Sequence, residues 1–91
     1  TSVTDVFYDW DRISLTPNPA SDHFVLNLPD HYGEEWVLHL ISTQGKILKQ
    51  QTIRQGNNVI GTKDFPQGLY TVSLYRDGIP MFARRLVLIG D

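Results

Sequence analysis

Leu69-Tyr70-Thr71-Val72-Ser73-Leu74-Tyr75-Arg76-Asp77-Gly78-Ile79 is the stretch that decides the fold. In an extended chain, Tyr70, Val72 and Leu74 fall on one side, and Thr71, Ser73 and Tyr75 on the other. That period of two predicts a strand with one buried face. Asp77-Gly78 follows, with a second apolar run beyond it. An Asp-Gly pair there predicts a hairpin, because a type I′ turn requires positive φ at both central residues.

Working outward, the same punctuation recurs. Turn residues stand at Pro17-Asn18-Pro19, Pro29-Asp30, Gln44-Gly45, Gln55-Gly56-Asn57, Pro66-Gln67-Gly68 and Asp77-Gly78. They are separated by roughly 8–12 residues, the spacing of short strands in a sandwich or barrel. No window holds apolar residues at i, i+3, i+4 and i+7 for long enough to make a helix. The spacing predicts strands over 12–16, 22–28, 36–42, 46–53, 58–61, 69–76 and 81–89. Phe24, Leu26 and Leu28 share one face of the second. The end of the last strand, Leu86-Val87-Leu88-Ile89, is apolar on both faces and leaves its inward side open. The fold class expected is all-β: an immunoglobulin-like antiparallel β-sandwich of about seven strands.

Composition narrows the function classes. A chain of 91 residues supports one core and no deep pocket of its own. The net charge is -2, and the only basic cluster is Arg84-Arg85, so no stripe exists to neutralise nucleic-acid phosphates. There is no cysteine, which removes disulfide frameworks and thiolate zinc sites. The longest apolar run falls far short of the roughly 20 residues of a membrane span. Starting at Thr1 with neither initiator Met nor signal peptide, the chain reads as a piece of something longer. Residues 1–11 carry Asp5, Asp9 and Asp11 interleaved with Phe7, Tyr8 and Trp10. We read them as a linker to an upstream passenger and a candidate processing region, with residues 12–91 as the sandwich.

Three ordered motifs then identify a family. Ser14-Leu15-Thr16-Pro17-Asn18-Pro19-Ala20-Ser21-Asp22 is close to a "YPNPASD" opening, with Thr16 where an aromatic is usual. Leu38-His39-Leu40-Ile41-Ser42-Thr43-Gln44-Gly45-Lys46 is similar to a strand–turn–"GK" hairpin, and Phe65-Pro66-Gln67-Gly68-Leu69-Tyr70-Thr71-Val72 to "LPAGxYxV". In this order and spacing the chain resembles the C-terminal sorting domains of the type IX secretion system, over about residues 12–89. A departure lies at the terminus: the family commonly closes with basic residues, as in "KKVVK", whereas Arg84-Arg85-Leu86-Val87 is followed here by Leu88-Ile89-Gly90-Asp91.

The resemblance implies an address label and not an enzyme. Family domains sit at the C-terminus of exported proteins of Bacteroidetes, pass through the periplasm, and are taken across the outer membrane by the type IX translocon and its outer-membrane shuttle components. The destination is the cell surface or the medium. In many members a sortase-like cysteine peptidase removes the domain, here in or before the linker, and joins the passenger to an anionic lipopolysaccharide. Other members retain the domain. No cofactor, nucleic acid or membrane span is implied.

Most motif residues have a physical reason of their own. Pro17 and Pro19 lack an N–H and end strand pairing, with Asn18 tolerant of a turn. Gly45, ahead of Lys46, and Gly68 supply backbone conformations that a Cβ would penalise. Tyr70 is expected to be buried, its hydroxyl bonding a nearby backbone group as in the tyrosine corner of immunoglobulin-like sandwiches. For direct recognition the candidate is the last strand: Arg84, Arg85, Leu86, Val87, Leu88 and Ile89. A terminal strand is expected at a sheet edge, and an open edge is a template for β-augmentation.

The polar clusters do not suggest a chemical site. Ser21-Asp22-His23 holds the residue types of a hydrolytic set, but neighbours on a strand point to opposite faces and cannot relay a proton. His23, His31 and His39 are spread over different segments and lack a convergent ligand spacing. Glu34-Glu35 reads as a solvated loop tip, and Asp9-x-Asp11 lacks the Gly and terminal Glu of a calcium loop. The competing reading is a retained glycan- or lipopolysaccharide-binding module or a spacer. Its aromatic platform would draw on Tyr8, Trp10, Tyr32, Trp36 and Tyr75.

Overall fold

The structure, a computed structural model, describes residues 12–29 and 35–89. Seven strands follow one another along them: β1 (Ser14–Thr16), β2 (His23–Leu28), β3 (Trp36–Ile41), β4 (Ile47–Ile53), β5 (Gly56–Gly61), β6 (Gly68–Arg76) and β7 (Ile79–Leu88). They form two antiparallel sheets, β1-β2-β5 and β4-β3-β6-β7. The expected β-sandwich is therefore present. Its fourth strand lies beside the third, whereas constant-type immunoglobulin sheets place it beside the fifth.

Alternation sets the core. Phe24, Leu26 and Leu28 of β2 face Trp36, Leu38 and Leu40 of β3 and Tyr70, Val72 and Leu74 of β6, all buried. Trp36 is fully buried at the start of β3, with the Arg76 guanidinium 5.7 Å from its ring centroid. The inward side of β7, which pattern alone leaves open, is fixed by packing: Phe82, Leu86 and Leu88 point inward, while Val87 and Ile89 are exposed.

Boundaries differ from the expected ones where local chemistry intervenes. β1 starts at Ser14 and β2 at His23, and β5 extends back to Gly56. The Asn58 amide explains the last shift. It donates to the carbonyls of Arg54, Gly56 and Leu26 and accepts from the Arg54 N–H, so a tight turn carries the chain from one sheet to the other. β7 begins at Ile79, directly after Asp77 (φ 54°) and Gly78 (φ 78°), the two positive-φ residues a type I′ turn needs.

The two sides where the sheets could gape are bridged by polar residues of the inward faces. Lys49 and Gln51 pair with Leu40 and Leu38 across β3–β4 and so share their inward face. Their side chains reach the outer-edge carbonyls of β5, Lys49 Nζ to Gly61 O at 3.0 Å and Gln51 Nε2 to Val59 O at 3.1 Å. On the other side Arg84, paired with inward Val72, reaches Ile13 O at 2.9 Å. Inward-pointing polar residues on edge strands also blunt those edges against foreign pairing.

Candidate functional site

Register places the turns of all three motifs at one pole. β1 ends there, β2 begins, β3 turns into β4, β5 runs into β6, and β7 finishes. Arg12, Ile13, the end of β2, the start of β3 and the Asp77-Gly78 turn lie at the opposite pole.

At the motif pole the middle turn is built on Ser42. Its N–H donates to Lys46 O (2.9 Å), its carbonyl accepts from Gly45 N (3.0 Å), and its hydroxyl accepts from the N–H of Gln44 (3.3 Å) and of Lys46 (3.2 Å). Gly45 at φ 86° closes this loop, and Lys46 is exposed. Thr62, just ahead of the third motif, accepts from Phe65 N at its carbonyl, and its N–H donates to Asp22 O and its hydroxyl to Ser21 O, tying the third motif to the first. Gly68 sits at φ 152°, and the Tyr70 hydroxyl donates to Pro66 O. Tyr70 is 7% exposed, so the buried-anchor expectation agrees with the structure. A shallow cleft lies where Ser42 and Thr43 of the second motif meet Pro66–Tyr70 of the third.

The first motif does more than redirect the chain. The Thr16–Pro17 and Asn18–Pro19 bonds are both cis, and the segment they frame lies along the outer edge of β7. Ala20 N donates to Val87 O and Ile89 N to Ala20 O, each at 2.8 Å, in a parallel bridge between Ala20 and Leu88. Asn18 Nδ2 donates to Arg85 O, and Asn18 Oδ1 accepts from Val87 N, each at 3.2 Å. The expectation of an open terminal edge is therefore corrected. β7 is an edge strand, but residues 85–89 are closed by Asn18 and Ala20, sequence neighbours of β1 brought back over the other sheet. No local signal in β7 could have disclosed this.

Two further readings change. Arg84 and Arg85 are not one basic patch: Arg84 is inward, half-buried and 5.0 Å from the Phe82 ring centroid, while Arg85 is exposed. Asp22 and His23 do meet, Oδ1 to Nδ1 at 3.0 Å, because β2 begins only at His23 and strand alternation does not separate them. That hydrogen bond, more than any other influence, holds the Asp22 carboxyl below its ordinary value. Of the aromatic platform, Trp36 is fully buried and Tyr75 is half-buried, stacked on His39 with centroids 4.2 Å apart. Tyr8, Trp10, Tyr32, His31, Glu34 and the linker over residues 1–11 lie outside the described residues.

Beside the exposed charges of Lys46 and Arg85, the motif pole carries an apolar strip. Leu69 of β6 and Val87 of β7 are direct cross-strand partners, 43% and 40% exposed, with Ile89 at 46% on the same outward side. Fold and pole together define an immunoglobulin-like sandwich that presents a motif-bearing end with a small apolar strip. Residues 14–88 match the family described as the secretion system C-terminal sorting domain, and the chain belongs to it. It is a sorting signal of the type IX secretion system, which implies interaction with that system and export to the cell surface or the medium. No curated protein matches the chain. No helix among the described residues is long and apolar enough to cross a membrane.

Proposed function

We propose that this domain acts as a non-catalytic address label read at the motif pole. Three motifs far apart in sequence meet at one end of the sandwich, beside the finish of β7 and opposite the end where Arg12 enters. That convergence carries the reading. A passenger joined ahead of residue 12 would hang from the far pole and leave the motif pole free for the translocon and its shuttle components. Arg85, Val87 and Ile89, with Leu69, supply the exposed groups for recognition. Arg84, Leu86 and Leu88 hold the strand in place from inside. Pro17, Pro19, Gly45, Gly68 and Tyr70 shape the pole, Asn18 covers the β7 edge beside it, and Lys46 adds an exposed charge.

The route proposed is periplasmic transit, passage of the outer membrane, then cleavage in the 1–11 linker by a sortase-like cysteine peptidase and attachment to anionic lipopolysaccharide. Fusing residues 1–91 to an inert periplasmic reporter tests it. Reporter at the surface or in the medium of a type IX-competent host, and absent from both in a translocon-deficient host, is the expected result. A folded domain held in the periplasm of both hosts would overturn it. The size of the released reporter separates cleavage from retention.

A further inference from the structure

The strap on β7 has the hydrogen-bond pattern of a strand without being one. In a parallel pair, one residue donates from its N–H to the neighbour's preceding carbonyl and accepts at its C=O from the following N–H. Ala20 does this against Leu88, through Val87 O and Ile89 N. A continuing strand would repeat the pattern two residues earlier, against Arg85 O and Val87 N. Those are the two groups that the Asn18 side-chain amide satisfies, its Nδ2 and Oδ1 standing in for a main-chain N–H and C=O. Pro17 and Pro19, which have no N–H, keep the strap from extending the sheet further.

We propose that the outer edge of β7 from Arg85 to Ile89 is a strand-docking surface that the Asn18–Ala20 strap keeps closed until an extended segment of the export machinery replaces it. This inference rests on the sorting role proposed above. The strap specifies its replacement: a main chain running parallel to β7, offering donors to Arg85 O and Val87 O and acceptors to the N–H groups of Val87 and Ile89. Outward side chains on that segment would be apolar, since they would lie against Val87 and Ile89, whose exposed surface is otherwise left to water. A closed edge also keeps copies of the domain from pairing with each other before delivery.

Locking the strap tests the proposal. Ala20 and Leu88 are bridge partners with buried side chains, and the chain holds no other thiol. Neighbouring strands lie about 4.8 Å apart, within the roughly 4.4–6.8 Å Cα separation that a disulfide spans. The reporter fusion carrying Ala20→Cys and Leu88→Cys is expected to stay in the periplasm when oxidised. It should be exported by a host lacking periplasmic thiol oxidation, as should each single variant. Equal export of the oxidised and reduced forms would overturn the proposal. If the unmodified fusion is not exported by the competent host, the sorting role itself fails, a separate result.

Asn18→Ala gives a second readout that does not depend on the core. Exchange of the Val87 amide should quicken roughly tenfold, the loss of one hydrogen bond, with export kept. Loss of export by a folded Asn18→Ala domain would overturn the proposal, because the strap would then be the recognised element and not the cover. Self-association of that variant through β7, in place of export, would overturn it as well.

Discussion

The two gaping sides of the sandwich are closed in different ways. Along β4 and β5, Lys49 and Gln51 reach across from the inward face to carbonyls of β5. In those contacts the long side chains act only as donors, and nothing in them resembles a strand. Along β7, Arg84 makes a similar reach to Ile13 O, but the rest of the closure is a short piece of chain with donors and acceptors at strand spacing. The first device guards an edge without imitating a partner, because a side chain cannot define the direction or register of an incoming strand. The second defines both.

The largest effect expected is common to both sides and tests the frame they share. Tyr70→Ala should cost about 3–5 kcal/mol, read as a lowered denaturant midpoint, because a buried aromatic and its hydroxyl bond are lost together. A variant with an unchanged midpoint would show that the pole does not rest on Tyr70.

Arg84→Ala comes next. Removing a charged donor leaves Ile13 O without this partner and strips packing from the Phe82 ring, for an expected loss of about 1–3 kcal/mol by chemical denaturation. Lys49→Ala, on the more exposed side, should cost about 0.5 kcal/mol, since water can take over at Gly61 O. Equal losses at the two positions would remove the asymmetry.

Asn18→Ala should fall between them in global stability, at about 1 kcal/mol. Its effect should concentrate in amide exchange at Val87, with the β5 amides unchanged. A matching rise at Ile60, which pairs with Phe24 across β2–β5, would mean that the two sides open together.

The smallest effect concerns the end of the strap. Asp22 titrates below its ordinary value because it accepts a hydrogen bond from the His23 ring. A depressed folded value means that its contribution is present above the unfolded pKa and is lost as pH falls through the folded one. The window is therefore acidic, below about pH 4. Carboxyl titration by NMR should show the Asp22 midpoint rising in His23→Phe. An unmoved midpoint would mean that another group holds the carboxyl down.

Much of the fold is legible from local pattern. The alternation of Tyr70, Val72 and Leu74 and the Asp77-Gly78 turn depend on residues only a few positions apart, and these predict their strand and hairpin correctly. Pattern starts β5 two residues late because Asn58 bonds to Arg54 and Leu26, a choice that its own neighbours do not reveal. The inward side of β7 is obscured by Arg84, which shares a face with Phe82, Leu86 and Leu88. The carbonyl of Ile13 across the gap and the Phe82 ring beside it explain a charge there.

The sequence by itself determined the strands, their turns, the buried anchor at Tyr70 and the motifs that carry the family. All of these rest on side-chain period, backbone preference and residue identity, which are local quantities. The tertiary structure alone decided that the motifs share a pole, that Arg84 and Arg85 part company, and that the edge of β7 is closed. Those outcomes depend on hydrogen bonds between residues more than sixty positions apart, Asn18 to Arg85 and Arg84 to Ile13, which exist only once two sheets have packed face to face.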